Sequence, residues 1–148
     1  MDYVIIAAII VVALALALIA WWRRGSGHPS FKPLDVGGRA ERSAEEFHRD
    51  FYASLGSESI QDIHAVLEAV SRATGLPAGK LEPADELGAI AAANGLQRAF
   101  LVGHLVSEFP EAAGEIMQKM ATGEFVCLHH AVALVVNARI NARARSAA

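Results

Sequence analysis

The side chains best suited to chemistry gather late in the chain, in "FVCLHHAV", which holds Cys127, His129 and His130. Cys127 and His130 stand one helical turn apart, a spacing that lets a thiolate and an imidazole share a metal ion. His104 or His64 would have to join from a neighbouring element, because such a metal takes three or four converging ligands. Cys-Leu-His-His is neither a haem-attachment run nor a zinc pair. The other reading is a buried free cysteine acting as a small apolar residue, beside histidines satisfied by helix hydrogen bonds. The chain is therefore expected to carry no metal, with Cys127 and His130 as its candidates. His129-His130 also suits a pH sensor; as helix neighbours, one should turn inward and one to water.

The carboxylate pairs read as structural. Glu45-Glu46 looks like a helix cap and Asp85-Glu86 like solvated charge, since neither sits among catalytic partners. No P-loop, dinucleotide fingerprint, nucleophile elbow or HExxH occurs. No catalytic residue and no cofactor is expected, and the chain is read as non-enzymatic.

The elements that would position these residues are helical. Ser43 with Glu46 forms a capping box opening "SAEEFHRDFYASLG", with Gly56 as its stop. A second helix starts near Ser57 or Ser59, lines up Ile60, Ile63, Val66, Leu67 and Val70, and ends at Gly75. "LPAGKLEPADELGAI" reads as a long connection. Asn94 to Phe109 reads as an apolar helix entered through Asn-Gly, with Asn94 as cap. Pro110 is expected at the first position of the next helix. Phe125 to Val136 is apolar nearly all round but too short for a membrane span, so it is expected as a buried core helix. Leu101, Leu105, Phe109 and Leu128 should be among the most buried residues. With no strand-like alternation and no repeat, the class is all-α: residues 43–148 as a bundle of four to five helices.

The N-terminal end is different. "YVIIAAIIVVALALALIAWW", Tyr3 to Trp22, has no charge; as a helix it would be about 30 Å long, the thickness of a hydrocarbon core. A cleaved signal peptide is the rival reading, but only Met1 and Asp2 precede the run, so a basic n-region is lacking. Residues 1–24 are expected to be an uncleaved transmembrane anchor. Tyr3, Trp21 and Trp22 would be its interfacial rings, and Arg23 and Arg24 would hold the C-terminal part in the cytoplasm, beneath the inner cell membrane. A single cysteine fits a reducing compartment. Residues 25–42 carry glycines and prolines without apolar period and read as a flexible linker.

Charge is uneven: the net −3 divides into +3 over residues 23–40, −8 over 41–124 and +3 from Arg139, Arg143 and Arg145, with Asp2 making up the balance. The basic tail fits either anionic lipid or a helix macrodipole. Neither end is basic enough for a nucleic-acid binder.

With the helices laid out, the middle of the chain resembles the acyl carrier protein family, a four-helix bundle whose Asp-Ser-Leu motif opens its second helix. Gly75-Leu76 matches the turn after the family's first helix, and Leu81 and Leu87 match inward residues of its long loop. Asn94-Gly95-Leu96 stands at the motif, and Leu101, Val102, Leu105 and Glu108-Phe109 follow at the family's spacing. The resemblance spans Ile60 to about Val136. It implies a carrier-like fold in which Gly95 occupies the place of the serine that bears phosphopantetheine. Glycine has no hydroxyl, so no arm can be attached there. Gln97, Arg98 and His104 also replace the acidic face on which the family's partners dock.

Two functions are expected from these features. One is a single-pass, membrane-anchored helical interaction module or accessory subunit, whose partners are the lipid bilayer and a membrane or cytoplasmic protein. The other is a carrier-derived domain that holds lipid or acyl groups non-covalently.

Overall fold

The computed structural model describes residues 31–147. The expected anchor, with Tyr3, Trp21, Trp22, Arg23 and Arg24, lies outside the described residues. Among the described residues no helix is long and apolar enough to cross a membrane.

The described chain is all-helical. Its α-helices are α1 (Ala44–Phe51), α2 (Ile60–Thr74), α3 (Leu87–Ala92), α4 (Arg98–Glu108), α5 (Ala113–Thr122) and α6 (Leu128–Ser146). Short 3-10 turns at Ser57–Ser59 and Ala78–Lys80 precede α2 and α3. The Ser43 hydroxyl accepts the Glu46 N–H while the Glu46 carboxylate accepts the Ser43 N–H, so both ends of the capping box are made. Helix α1 nevertheless ends at Phe51, because the backbone leaves helical geometry at Tyr52; Gly56 instead precedes the 3-10 turn. Gly75 closes α2 in the left-handed region, where a Cβ is penalised.

Helix α2 packs against α1, α4 and α6. Its stripe of Ile63, Val66, Leu67 and Val70 is buried, as the apolar period requires. Leu101, Leu105, Phe109 and Leu128 are all in the core, and α6 is buried from Leu128 through Val136 on most sides. Each fully buried side chain of this size contributes roughly 1.5–3 kcal/mol of transfer free energy.

Three expectations need correction. The segment 81–90 is not all connection, since Leu87, Ile90 and Ala91 bury one side of α3; a six-residue helix is too short for a 3.6 period to be read. The segment 94–109 is not one helix. Helix α4 starts at Arg98 behind Gln97, and Asn94 caps nothing at its entrance. Pro110 opens a turn, and α5 begins only at Ala113.

Residues 34–42 depart from the linker reading as well. Leu34 packs on the core and its N–H donates to the Ala89 carbonyl (3.0 Å). The Arg42 N–H donates to the Gly79 carbonyl (2.8 Å). This half of the segment is docked on the bundle because Leu34 packs on the core while Arg39 reaches Asp85 and Arg42 reaches Glu82 and Asp50.

Candidate functional site

The chemistry-bearing residues meet at the N-terminus of α6. Its entrance is built by a distant loop. The N–H groups of Leu128 and His129 donate to the carbonyls of Asp85 and Pro83 (both 2.9 Å), and the Leu87 N–H donates to Val126 (2.9 Å). Two of the four N–H groups that a helix leaves open at its start are thus satisfied by the 83–87 loop.

On this frame His130 folds back. Its Nδ1 accepts the N–H groups of Val126 (3.2 Å) and Cys127 (3.3 Å) and lies 3.4 Å from Cys127 Sγ. Accepting from two backbone donors requires an unprotonated Nδ1, so the ring proton of neutral His130 is on Nε2. Burial, then the neighbouring His129, pushes the His130 pKa down. Cys127 is half-buried. Among the described residues no group of three or more His, Cys, Asp or Glu side chains is arranged to hold a metal. The i, i+3 pair does come together, but the imidazole lone pair is used to cap the helix entrance.

His129 turns the other way. Its ring stacks on Tyr52 (5.7 Å between centroids, 12° between planes), and its Nδ1 is 3.1 Å from the Tyr52 hydroxyl. Burial raises the Tyr52 pKa, which keeps the phenol neutral beside the imidazole. Tyr52 was not among the sequence candidates, and its signal was faint: an aromatic residue just past the end of an amphipathic helix.

Other candidates are placed elsewhere. His64 stands beside Glu68 (3.5 Å) in an open groove of about 560 Å³ between the start of α1 and the outer face of α2. His104 is on α4, 4.0 Å from Glu108. Asp85, expected to be solvated, is buried: Arg39 grips both its oxygens (2.7 and 2.8 Å), and the Glu82 N–H donates to one of them (2.7 Å). Hydrogen bonding to Asp85 is the main cause raising the Arg39 pKa.

The tail arginines are likewise engaged in the fold. Arg139 and Arg143 both reach Asp62 of α2 (3.0 Å each), and Arg139 also bonds Glu111 (2.8 Å). Arg145 donates to the Asn141 carbonyl (3.3 Å) and pairs with no carboxylate among the described residues. Arg139 and Arg143 thus make ion pairs within the fold, and Arg143 and Arg145 stand in the last turn of α6, where cations face the helix macrodipole. Asp62 had a legible signal: it lies one turn before Val66, on the edge of the apolar stripe, where an ionised side chain needs a partner.

Gly95 ends α3 rather than opening α4. Its φ is +69°, its N–H donates to Ala92, and the Leu96 N–H donates back to Ala91 (both 3.0 Å). These two bonds with a left-handed glycine form a Schellman motif. An added Cβ would meet nothing within 4 Å, so backbone conformation, not space, selects glycine here.

No protein-family model, curated protein or solved structure matches this chain.

Proposed function

We propose that the protein is a single-pass, membrane-anchored interaction module or accessory subunit, non-enzymatic, with its helical domain on the cytoplasmic face of the inner membrane. The anchor rests on the sequence of residues 3–24. In the domain, the observation that supports an interaction role is Phe100. It is 68% exposed in the first turn of α4, while every other phenylalanine on the six helices and their connections is buried or far less exposed. Exposed aromatic side chains are enriched where proteins bind one another. A non-enzymatic reading is supported by the use of His130, Asp85, Asp62 and three arginines in joining elements of the fold.

Two measurements test this reading. Protease added to sealed right-side-out vesicles should leave the domain intact; digestion would overturn the cytoplasmic placement. A photo-crosslinking amino acid at position 100 should form an adduct with another protein in cells, while one at Gln118 should not. Absence of an adduct at 100 would remove the interaction role.

The carrier-derived reading has less support. The segment at the position of the carrier motif closes α3, and two further residues separate Gly95 from α4. Native mass spectrometry of the domain decides it, since bound lipid or acyl groups are expected only on that reading.

A further inference from the structure

The loop at residues 83–87 is bonded on its two sides to two different parts of the chain. On one side Arg39 holds both carboxylate oxygens of Asp85 (2.7 and 2.8 Å) and also donates to the Lys80 carbonyl (3.1 Å). On the other side the Asp85 carbonyl accepts the Leu128 N–H and the Val126 carbonyl accepts the Leu87 N–H (both 2.9 Å). Those two bonds flank Glu86 and Cys127, which face each other as an antiparallel bridge. Asp85 therefore meets Arg39 through its side chain and the entrance of α6 through its backbone.

Asp85 depends on that cation. It is 7% exposed, and Arg39 is the one cation paired with it among the described residues. A carboxylate buried without its counter-charge must regain either water or a proton. The Glu82 N–H also donates to it (2.7 Å), but from three residues away, so it ties Asp85 only to its own stretch of chain.

The residues around Arg39 are seated independently of Asp85. Arg42 pairs with Asp50 and Glu82 (3.5 Å each), lies over the Phe51 ring (5.2 Å) and donates its N–H to Gly79 (2.8 Å). Leu34 packs on the core and donates to Ala89. Removing the Arg39 guanidinium thus takes away the partner of Asp85 and leaves the contacts of Leu34 and Arg42 in place.

We propose that Arg39 is a positioning residue for the entrance of α6. By pairing with Asp85 it fixes the 83–87 loop, and the loop fixes Leu128, His129 and the Cys127–His130 pair. Residue 39 and the α6 corner thereby form one conformational unit, whose output is the half-buried Cys127 thiol, 3.4 Å from His130 Nδ1. With Asp85 paired, Cys127 is pinned opposite Glu86. With Asp85 unpaired, the carboxylate draws the loop toward water, the bridge opens locally and the thiol becomes reachable.

Two readouts on the full chain test this: hydrogen exchange resolved to single amides, and the rate at which a maleimide labels Cys127, the only cysteine in the sequence. Arg39→Ala should speed exchange at Leu128 and His129 by about tenfold or more and labelling of Cys127 by about threefold or more. The Arg42 amide and the amides of α2 should keep the parent's rates. Adding Asp85→Asn removes the buried charge but keeps an acceptor for the Glu82 N–H. The double variant should return both readouts to within about twofold of the parent. Unchanged exchange at Leu128 and His129 in Arg39→Ala, or an unchanged labelling rate, would overturn the coupling. Equal acceleration of Arg42 or α2 would report general loosening and overturn it as well. So would a double variant that fails to recover, because Arg39 would then act otherwise than through the charge of Asp85.

Discussion

Asp62, 2% exposed in the first turn of α2, is joined to Arg139 of α6 at 3.0 Å across 77 residues of chain. Arg143, one turn further along α6, bridges both oxygens of the same carboxylate (3.0 and 2.9 Å). Arg139 continues to Glu111 and rests over the Phe109 ring (5.2 Å), so α2, α6 and the connection after α4 meet at one guanidinium. Replacing Asp62 by Asn leaves two arginines without their shared anion. The expected cost is about 2–4 kcal/mol, below the full value of a buried pair because both arginines reach water. Urea melts of residues 32–148 measure it, and Glu115→Gln should stay within about 0.5 kcal/mol.

Leu105 has no exposed surface. Leu105→Ala should cost about 2–5 kcal/mol in the same melts. Phe100→Ala should cost less than about 0.5 kcal/mol, since its ring is mostly in water. Equal losses would mean that α4 is oriented differently.

His130 gives the domain a pH dependence near neutrality. Its neutral form is favoured in the fold, so its contribution is complete above the ordinary histidine value of 6.5. That contribution is lost as pH falls through the lower folded value, because the unfolded chain then binds the extra proton. His130→Asn keeps an acceptor for the Val126 and Cys127 N–H groups but does not titrate. The drop in urea midpoint from about pH 7.5 to about pH 5.5 should be larger in the parent than in this variant.

Glu111 acts lower on the scale. Its hydrogen bond from Arg139 is the main cause holding its carboxyl below the ordinary 4.5. The stabilisation is complete above that value and fades as pH falls through the depressed one. Glu111→Gln should therefore flatten the loss of stability below about pH 4.5 without altering the slope near neutrality.

Gly95 tests the carrier resemblance twice. Gly95→Ser should destabilise by about 1–2 kcal/mol, the cost of a side chain in the left-handed region. Co-expression with a phosphopantetheine transferase should leave the parent at its unmodified mass, because residue 95 offers no hydroxyl. A gain of one arm would show that another serine serves.

Much of the bundle was legible because its long helices obey local rules. The Ser43–Glu46 box, the Ile63–Val70 stripe and the Gly75 stop each depend on residues within a few turns. The six-residue α3 escaped detection because it has too few positions to show a period. Asn94-Gly95 reads as a helix start although it closes α3, because Asn-Gly serves equally at a helix end and at a helix start. The partners of Arg39 and Arg139 were out of reach for another reason. They stand 46 and 77 residues away, and no spacing rule connects charges at that separation. At the α6 corner the Cys127–His130 pair was readable from its spacing, but the ring's work as a cap depends on chain direction at Val126. Tyr52 joins that corner only through tertiary contact.

The loop that caps α6 also bears on the order in which the chain can fold. Leu128 and His129 find their acceptors at Asp85 and Pro83, more than forty positions earlier. The entrance of α6 is therefore complete only once a long loop has closed, and the entropy of that closure opposes it. A chain cut between Pro83 and Leu87 would leave the first turn of α6 without these two acceptors until the pieces reassociate. An inserted residue in the same loop would put both capping bonds out of register at once.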